Sequence, residues 1–170
     1  MRFKPMVIWL LAFSISSSSL LAQDQNHLEA TARAYFRAIE ARDFAGQLEF
    51  YTDQSLFEDP TAEIMGTTHK AQGGEAIVAL RREGAKNIPV WAFEIKEVLV
   101  SRPWVVLNLT TKMTLRSEVV GIPDKTFSVG IDWVSVLRIE NGKILRHTDY
   151  AAYEDFMQAL GAARQELERK

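Results

Sequence analysis

Residues 35–44 read Y-F-R-A-I-E-A-R-D-F, and residues 57–60 read F-E-D-P. Leu28, Ala32, Tyr35 and Ile39 recur at the spacing that lines one face of a helix, which predicts a helix with Tyr35 turned inward. Arg42-Asp43 interrupts it, and Phe44, Leu48 and Tyr51 mark a second, shorter helix. Leu56 and Phe57 then form a short strand that ends at Pro60, because proline has no N–H to donate to a ladder. Tyr35 and Asp59 therefore stand at the two ends of one helical hairpin. A phenol and a carboxylate paired in this way serve proton chemistry in an apolar pocket. Each also has a structural reading. A core tyrosine ties its hydroxyl to a neighbour, and an aspartate before proline caps backbone N–H groups in a turn.

Upstream, Asn26 followed by Glu29 predicts a capping pair at the start of the first helix. Residues 1–22 read as a secretory signal peptide. Arg2 and Lys4 are followed by the apolar run from Met6 to Ile15, the serines from Ser16 to Ser19, and Leu20-Leu21-Ala22 as a cleavage site. The apolar run is shorter than the roughly 20 residues a spanning helix needs, so the expected location is exported, periplasmic or secreted. A retained anchor is the alternative. The chain has no cysteine, which excludes disulfide stapling and cysteine acylation. Removing Arg2 and Lys4 takes the formal net charge from −2 to −4. A weakly acidic domain is a poor partner for nucleic acid or an anionic membrane. Residues 23–170 form a single domain, with no repeat or composition break.

Downstream, Thr61 to Gly74 reads as a loop, and Ala76, Ile77 and Leu80 as a third helix stopping near Gly84. After Pro89 the pattern changes. Val90–Val100, Val105–Arg116, Thr126–Glu140 and Lys143–Tyr150 are rich in β-branched and aromatic residues with period-two stretches. Asn141-Gly142 is a strong hairpin turn between the last two. Residues 154–170 return to helical spacing through Phe156, Met157, Leu160 and Leu167. Helices followed by antiparallel strands predict an α+β fold, with the helices on one face of a curved sheet.

This order resembles the nuclear transport factor 2 superfamily and, within it, the SnoaL-like polyketide cyclases and the ketosteroid isomerases. The resemblance spans about Leu28 to Gly161. It rests on A-x-x-Y-F-x-A-I-E-A-x-D-F, F-E-D-P-T, G-G-E-A-I and V-L-R-I-E-N-G-K-I-L-R-H-x-D-Y. It implies a cone of three helices and a bent sheet around a deep pocket. The isomerase pattern implies that Tyr35 donates to a developing enolate and that Asp59 shuttles the proton. That pattern also has a second acid on the fifth strand, where this chain carries Ser135. The cyclase pattern implies a base at Asp149. Limonene-epoxide hydrolases share the fold, but residues 106–111, V-L-N-L-T-T, lack the aspartate and arginine their site needs.

Strand alternation puts Leu145, His147 and Asp149 on one face, with Ile144, Arg146 and Thr148 on the other. By the resemblance the first face is the pocket side, together with Ile131, Trp133, Ser135 and Leu137, and Phe57 joins the wall. His147 with Asp149 has the layout of an acid–base pair; a structural pair, or a register with Arg146 inward, are the alternatives. The histidine and carboxylate spacing gives no metal signature, and no cofactor is expected. His69 reads as solvated in its loop, which could fold over the pocket. Arg81 and Arg82 read as a solvated helix face, and Trp91, Trp104 and Trp133 as core or interface. The expected function is proton transfer next to a carbonyl on a small hydrophobic molecule, through Tyr35, Asp59, His147 and Asp149. The alternative is a non-catalytic domain that binds such a molecule, or pairs as a homodimer through its sheet face.

Overall fold

The computed structural model describes residues 12–67 and 69–169, with side chains described from residue 22 onward. Helix α1 spans Ala12–Glu40 and α2 spans Phe44–Leu48. Strand β1 (Leu56–Asp59) and β2 (His69–Gln72) precede α3 (Gly74–Gly84). Four long strands follow: β3 (Val90–Ser101), β4 (Trp104–Arg116), β5 (Thr126–Glu140) and β6 (Lys143–Ala151). Helix α4, Tyr153–Glu168, closes the chain. The strands form one six-stranded sheet in the order β2-β1-β6-β5-β4-β3, antiparallel except where β1 runs parallel to β6. This is the α+β architecture read from the sequence, a curved, unclosed sheet with its helices packed to shelter one face. Among the described residues no helix is long and apolar enough to cross a membrane.

Asn26 caps nothing, since α1 runs through it. The carboxylate of Glu29, which a capping pair would turn back to Asn26, instead takes Arg33 Nε at 2.8 Å one turn on. The signal peptide expected over residues 1–22 falls mostly outside the residues whose side chains the structure describes. Helix α1 ends in a tight reversal in which Arg42 has φ 55°. Asp43 then caps α2 by accepting from Gly46 N at 2.8 Å, and a Cβ on Gly46 would lie 2.2 Å from Asp43 Oδ2.

The stretch from Thr61 to Gly74 is not a plain loop. Asp59 caps a 3₁₀ helix, Pro60–Met65, and β2 then pairs back on β1 with Phe57 opposite Ala71. A four-residue strand reading His-Lys-Ala-Gln has no apolar alternation to reveal it; pairing with β1 imposes its conformation.

A bulge alters the face of β6. Arg138 pairs with Arg146 and Ile139 with Ile144, so Leu145 is the extra residue. Two residues opposing one reset the alternation. Ile144, expected outside, is fully buried, and His147 and Asp149 remain inward. Arg146 points outward and pairs with Glu58. Between α1, α3 and the sheet lies the larger core, including Tyr35, Ile39, Ile77, Leu107 and Leu137; a smaller one under α4 holds Met113, Ile131 and Tyr153. Each fully buried aliphatic side chain contributes roughly 1.5–3 kcal/mol relative to exposure. Trp91 and Trp133 pack against these cores, whereas Trp104 is exposed on the outer sheet face.

Candidate active site

Between α3, α4 and the concave side of the sheet lies a cavity of about 440 Å³, in the size range of small-molecule sites. Phe57, Trp91, Trp133, Tyr153 and Phe156 make its walls aromatic, and Asp59, Arg81 and Asp149 place charge on its lining. Among the described residues no group of three or more His, Cys, Asp or Glu side chains is arranged to hold a metal ion.

Helix α3 delivers the cation. Ile77 and Val78 are buried, and Arg81 follows them by four and three residues, so it shares their inward face. Its guanidinium lies over the rings of Phe57 and Tyr35, at 5.0 and 5.5 Å from their centroids. Arg81 Nη2 donates to Tyr35 Oη at 2.6 Å and lies 2.9 Å from His147 Nδ1. Tyr35 Oη is 2.8 Å from the same Nδ1 and also bonds the Tyr51 hydroxyl. On the other side of the ring, His147 Nε2 is 2.6 Å from Asp149 Oδ1, which Ser135 Oγ also reaches. The tautomer follows from these neighbours. An arginine can only donate, so Nδ1 must accept, and the imidazole proton sits on Nε2, donating to Asp149. Both donors to Asp149 converge on Oδ1, so its second oxygen is available to the cavity that Asp149 lines.

The charges agree with this reading. Burial pushes the His147 imidazole below its ordinary 6.5 and the Arg81 charge adds to this, while Asp149 pulls it back only in part. Burial opposes ionisation of Asp149, but His147, Arg81 and the Ser135 hydroxyl outweigh it and hold the carboxyl below its ordinary 3.8. Burial also raises the Tyr35 phenol well above its usual range, against the pull of Arg81. For Arg81 itself, burial works against the charge, and its hydrogen bonds to the phenol oxygens together with the Asp149 carboxylate offset it.

A pH dependence of stability follows. Both His147 and Asp149 bind protons more weakly folded than unfolded, so each contribution is present at neutral pH and lost on acidification. The His147 part begins to be lost as pH falls through its ordinary 6.5, and the Asp149 part only below its ordinary 3.8. Calorimetry from about pH 7.5 to 5 is expected to show a falling unfolding temperature, with a shallower slope in His147→Gln. Equal slopes in the two proteins would contradict the buried neutral imidazole.

Asp59 is held differently. Its Oδ1 accepts from Thr61 N, Thr61 Oγ1 and Ala62 N at 3.1, 2.6 and 3.1 Å, and its Oδ2 accepts from Tyr153 Oη at 2.6 Å. Four donors thus saturate a carboxylate that caps the 3₁₀ helix and anchors α4. Burial, then the bond to Asp59, raise the Tyr153 phenol well above its ordinary range.

The residues singled out in the sequence thus divide into two layers. Asp59, Asp149, Phe57 and Trp133 line the cavity. Tyr35, His147 and Ser135 lie beneath it with exposures of 0, 1 and 1%, and reach it through Asp149 or Arg81. Leu137 is fully buried between Val105 and His147 on neighbouring strands, in the core and not on the cavity wall. His69, expected in solvent, is on β2 and touches the lining. Arg81 is the main correction. The solvated face expected for it belongs to Arg82, which is exposed and lies over the Phe44 ring at 5.0 Å. The spacing from Ile77 could have revealed Arg81, because long charged side chains bury their stems on inward faces. Tyr51 and Tyr153, also unassigned, have no comparable signal beyond aromatic composition.

The sequence pattern of the SnoaL-like domain matches residues 32–147, and the chain belongs to this family. The solved structures it resembles include two proteins named for SnoaL-like polyketide cyclases. That of Shewanella putrefaciens CN-32 is 23% identical, with TM-score 0.72 over 79% of this chain and 96% of its own. That of Shewanella denitrificans OS-217 is 21% identical, with TM-score 0.71 over 79 and 97%. An epoxide hydrolase of the limonene-epoxide hydrolase type from M. tuberculosis is 16% identical, with TM-score 0.65 over 81 and 91%. At these identities the likeness establishes the fold. No curated protein matches the chain.

Proposed function

We propose that the cavity carries out proton transfer next to a carbonyl on a small, largely hydrophobic molecule, as an isomerase or cyclase would, with Asp149 as the base. The observation that carries this reading is a carboxylate on an aromatic cavity, kept ionised by His147, Arg81 and Ser135. Asp149 takes a proton from the carbon beside the carbonyl and returns it at another position. Arg81 supplies positive charge on the lining for the oxygen that becomes negative. The indole N–H groups of Trp91 and Trp133 and the Nε–H of Arg81 lack partners among the described residues, and all three residues line the cavity. Tyr35 and His147 act on Asp149 and Arg81 from beneath, and Asp59 holds the framework. Native mass spectrometry of protein taken from its producing cell is expected to reveal a small carbonyl compound bound stoichiometrically; a hydrocarbon without acceptor oxygens would count against the reading.

The withdrawal of Tyr35 and His147 from the cavity favours a second reading, a binding domain without turnover. We also propose export, supported by the charged, apolar and small-residue segments of residues 1–22. N-terminal sequencing of the protein in its producing cell is expected to start at Gln23; an intact Met1 in the cytoplasm would exclude export. The outer sheet face exposes Leu99, Trp104, Val134 and Tyr150, which supports its use as a homodimer surface. Sedimentation is then expected to give twice the chain mass, and Val134→Lys to give a single chain. A wild-type monomer at high micromolar concentration would reject that pairing.

A further inference from the structure

The hydrogen bonds of Arg81 Nη2 go to a phenol oxygen and an imidazole nitrogen, neither of them an anion. Tyr35 and Tyr51 face this cluster from α1 and from the segment after α2, Asp59 and Phe57 from β1, and Ser135 from β5. Asp149 lies two residues along from His147 on β6 itself. The cluster therefore sets one cation on the Nδ1 side of His147 and an anion on the Nε2 side. A histidine between them can satisfy both only as the neutral Nε2–H form, since a proton on Nδ1 would meet the guanidinium donor.

We propose that Arg81 is a positioning residue: its contact with His147 Nδ1 keeps that nitrogen unprotonated, fixes the proton on Nε2, and so clamps Asp149 through Oδ1 with its other oxygen toward the cavity. The Asp149 carboxylate, which can only accept, draws one proton to Nε2, and the guanidinium at Nδ1 opposes a second, so the two partners act on opposite sides of one ring. Ser135 holds Asp149 from the adjoining strand, and Arg81 fixes which donor it meets from β6. The inference rests on the acid–base reading of the cavity for its purpose. Its test needs no substrate, so the two can fail separately.

The measurement is nitrogen-15 NMR of the imidazole across pH, in a protein whose His27→Gln and His69→Gln changes leave His147 as the one remaining histidine of three. With Arg81 in place, the neutral ring is expected as the Nε2–H tautomer, titrating below the ordinary histidine value. Arg81→Met keeps an apolar stem but removes charge and donor; the titration is expected to move upward and the tautomer preference to weaken. Arg81→Gln keeps a donor without charge, and should raise the titration while retaining the Nε2–H form. It also decides the matter if the methionine variant does not fold. A purely structural arginine would move neither signature. A proton on Nδ1 with Arg81 present would overturn the proposal, as would a folded Arg81→Met or Arg81→Gln protein with unchanged titration.

Discussion

Asp149→Asn is expected to lower turnover of a cavity substrate by ~10²–10⁴-fold, the range typical of a lost general base, while the domain stays folded. The fold survives because asparagine retains a carbonyl oxygen where Oδ1 stands. That oxygen still accepts from His147 Nε2 at 2.6 Å and from Ser135. What changes is the second oxygen, which becomes an amide on the cavity side and can no longer take a proton. Asp43→Asn is the control, since asparagine caps a helix as well as aspartate does and Asp43 lies at the start of α2. Asp59→Asn is the informative comparison. The four donors around Asp59 give it a framework role, so its substitution should lower stability more than turnover. Rates measured beside unfolding midpoints separate the two effects. A rate that falls with Asp59→Asn but not with Asp149→Asn would exchange their roles.

Leu137→Ala is expected to destabilise the domain by about 2–5 kcal/mol, the usual range for emptying a well-packed core site. Leu137 has no exposed surface, lying between Val105 and His147 on the flanking strands with Ile39 and Ile77 in the same core. Strands paired on both sides allow little collapse into the space left behind. Against a total stability of roughly 5–15 kcal/mol this is a large fraction. Urea unfolding checks it. A loss under about 1 kcal/mol, accompanied by weaker binding of a cavity ligand, would return Leu137 to the cavity wall where the family resemblance first placed it.

The long strands were legible to within a residue or two because their apolar alternation is strong and each has a partner with the same pattern. Asn141-Gly142 was legible for a local reason: both residues adopt positive φ, 51° and 72°, as the hairpin turn demands. What escaped depended on partners distant in the chain. β2 exists because β1 offers it an edge, and the bulge at Leu145 shows only once β5 and β6 are aligned. For the site, His147 and Asp149 could be read from their two-residue spacing. The layering could not, because depth below a cavity is set by the curvature of the sheet and not by which face a residue takes. Arg81 escaped because charge was read as solvation. In the fold its neighbours on the helix, Ile77 and Val78, carry it inward, and aromatic rings with one carboxylate receive the charge.

The most direct test of Asp149 as the cavity base is hydrogen–deuterium exchange at carbon beside a carbonyl. Small cyclic ketones and enones that bind the cavity would be incubated with the protein in heavy water and followed by proton NMR. The account predicts protein-accelerated exchange of the adjacent protons, abolished by Asp149→Asn and preserved in a folded Asp59→Asn protein. Exchange that survives Asp149→Asn, or its absence with every ketone that binds, would contradict it.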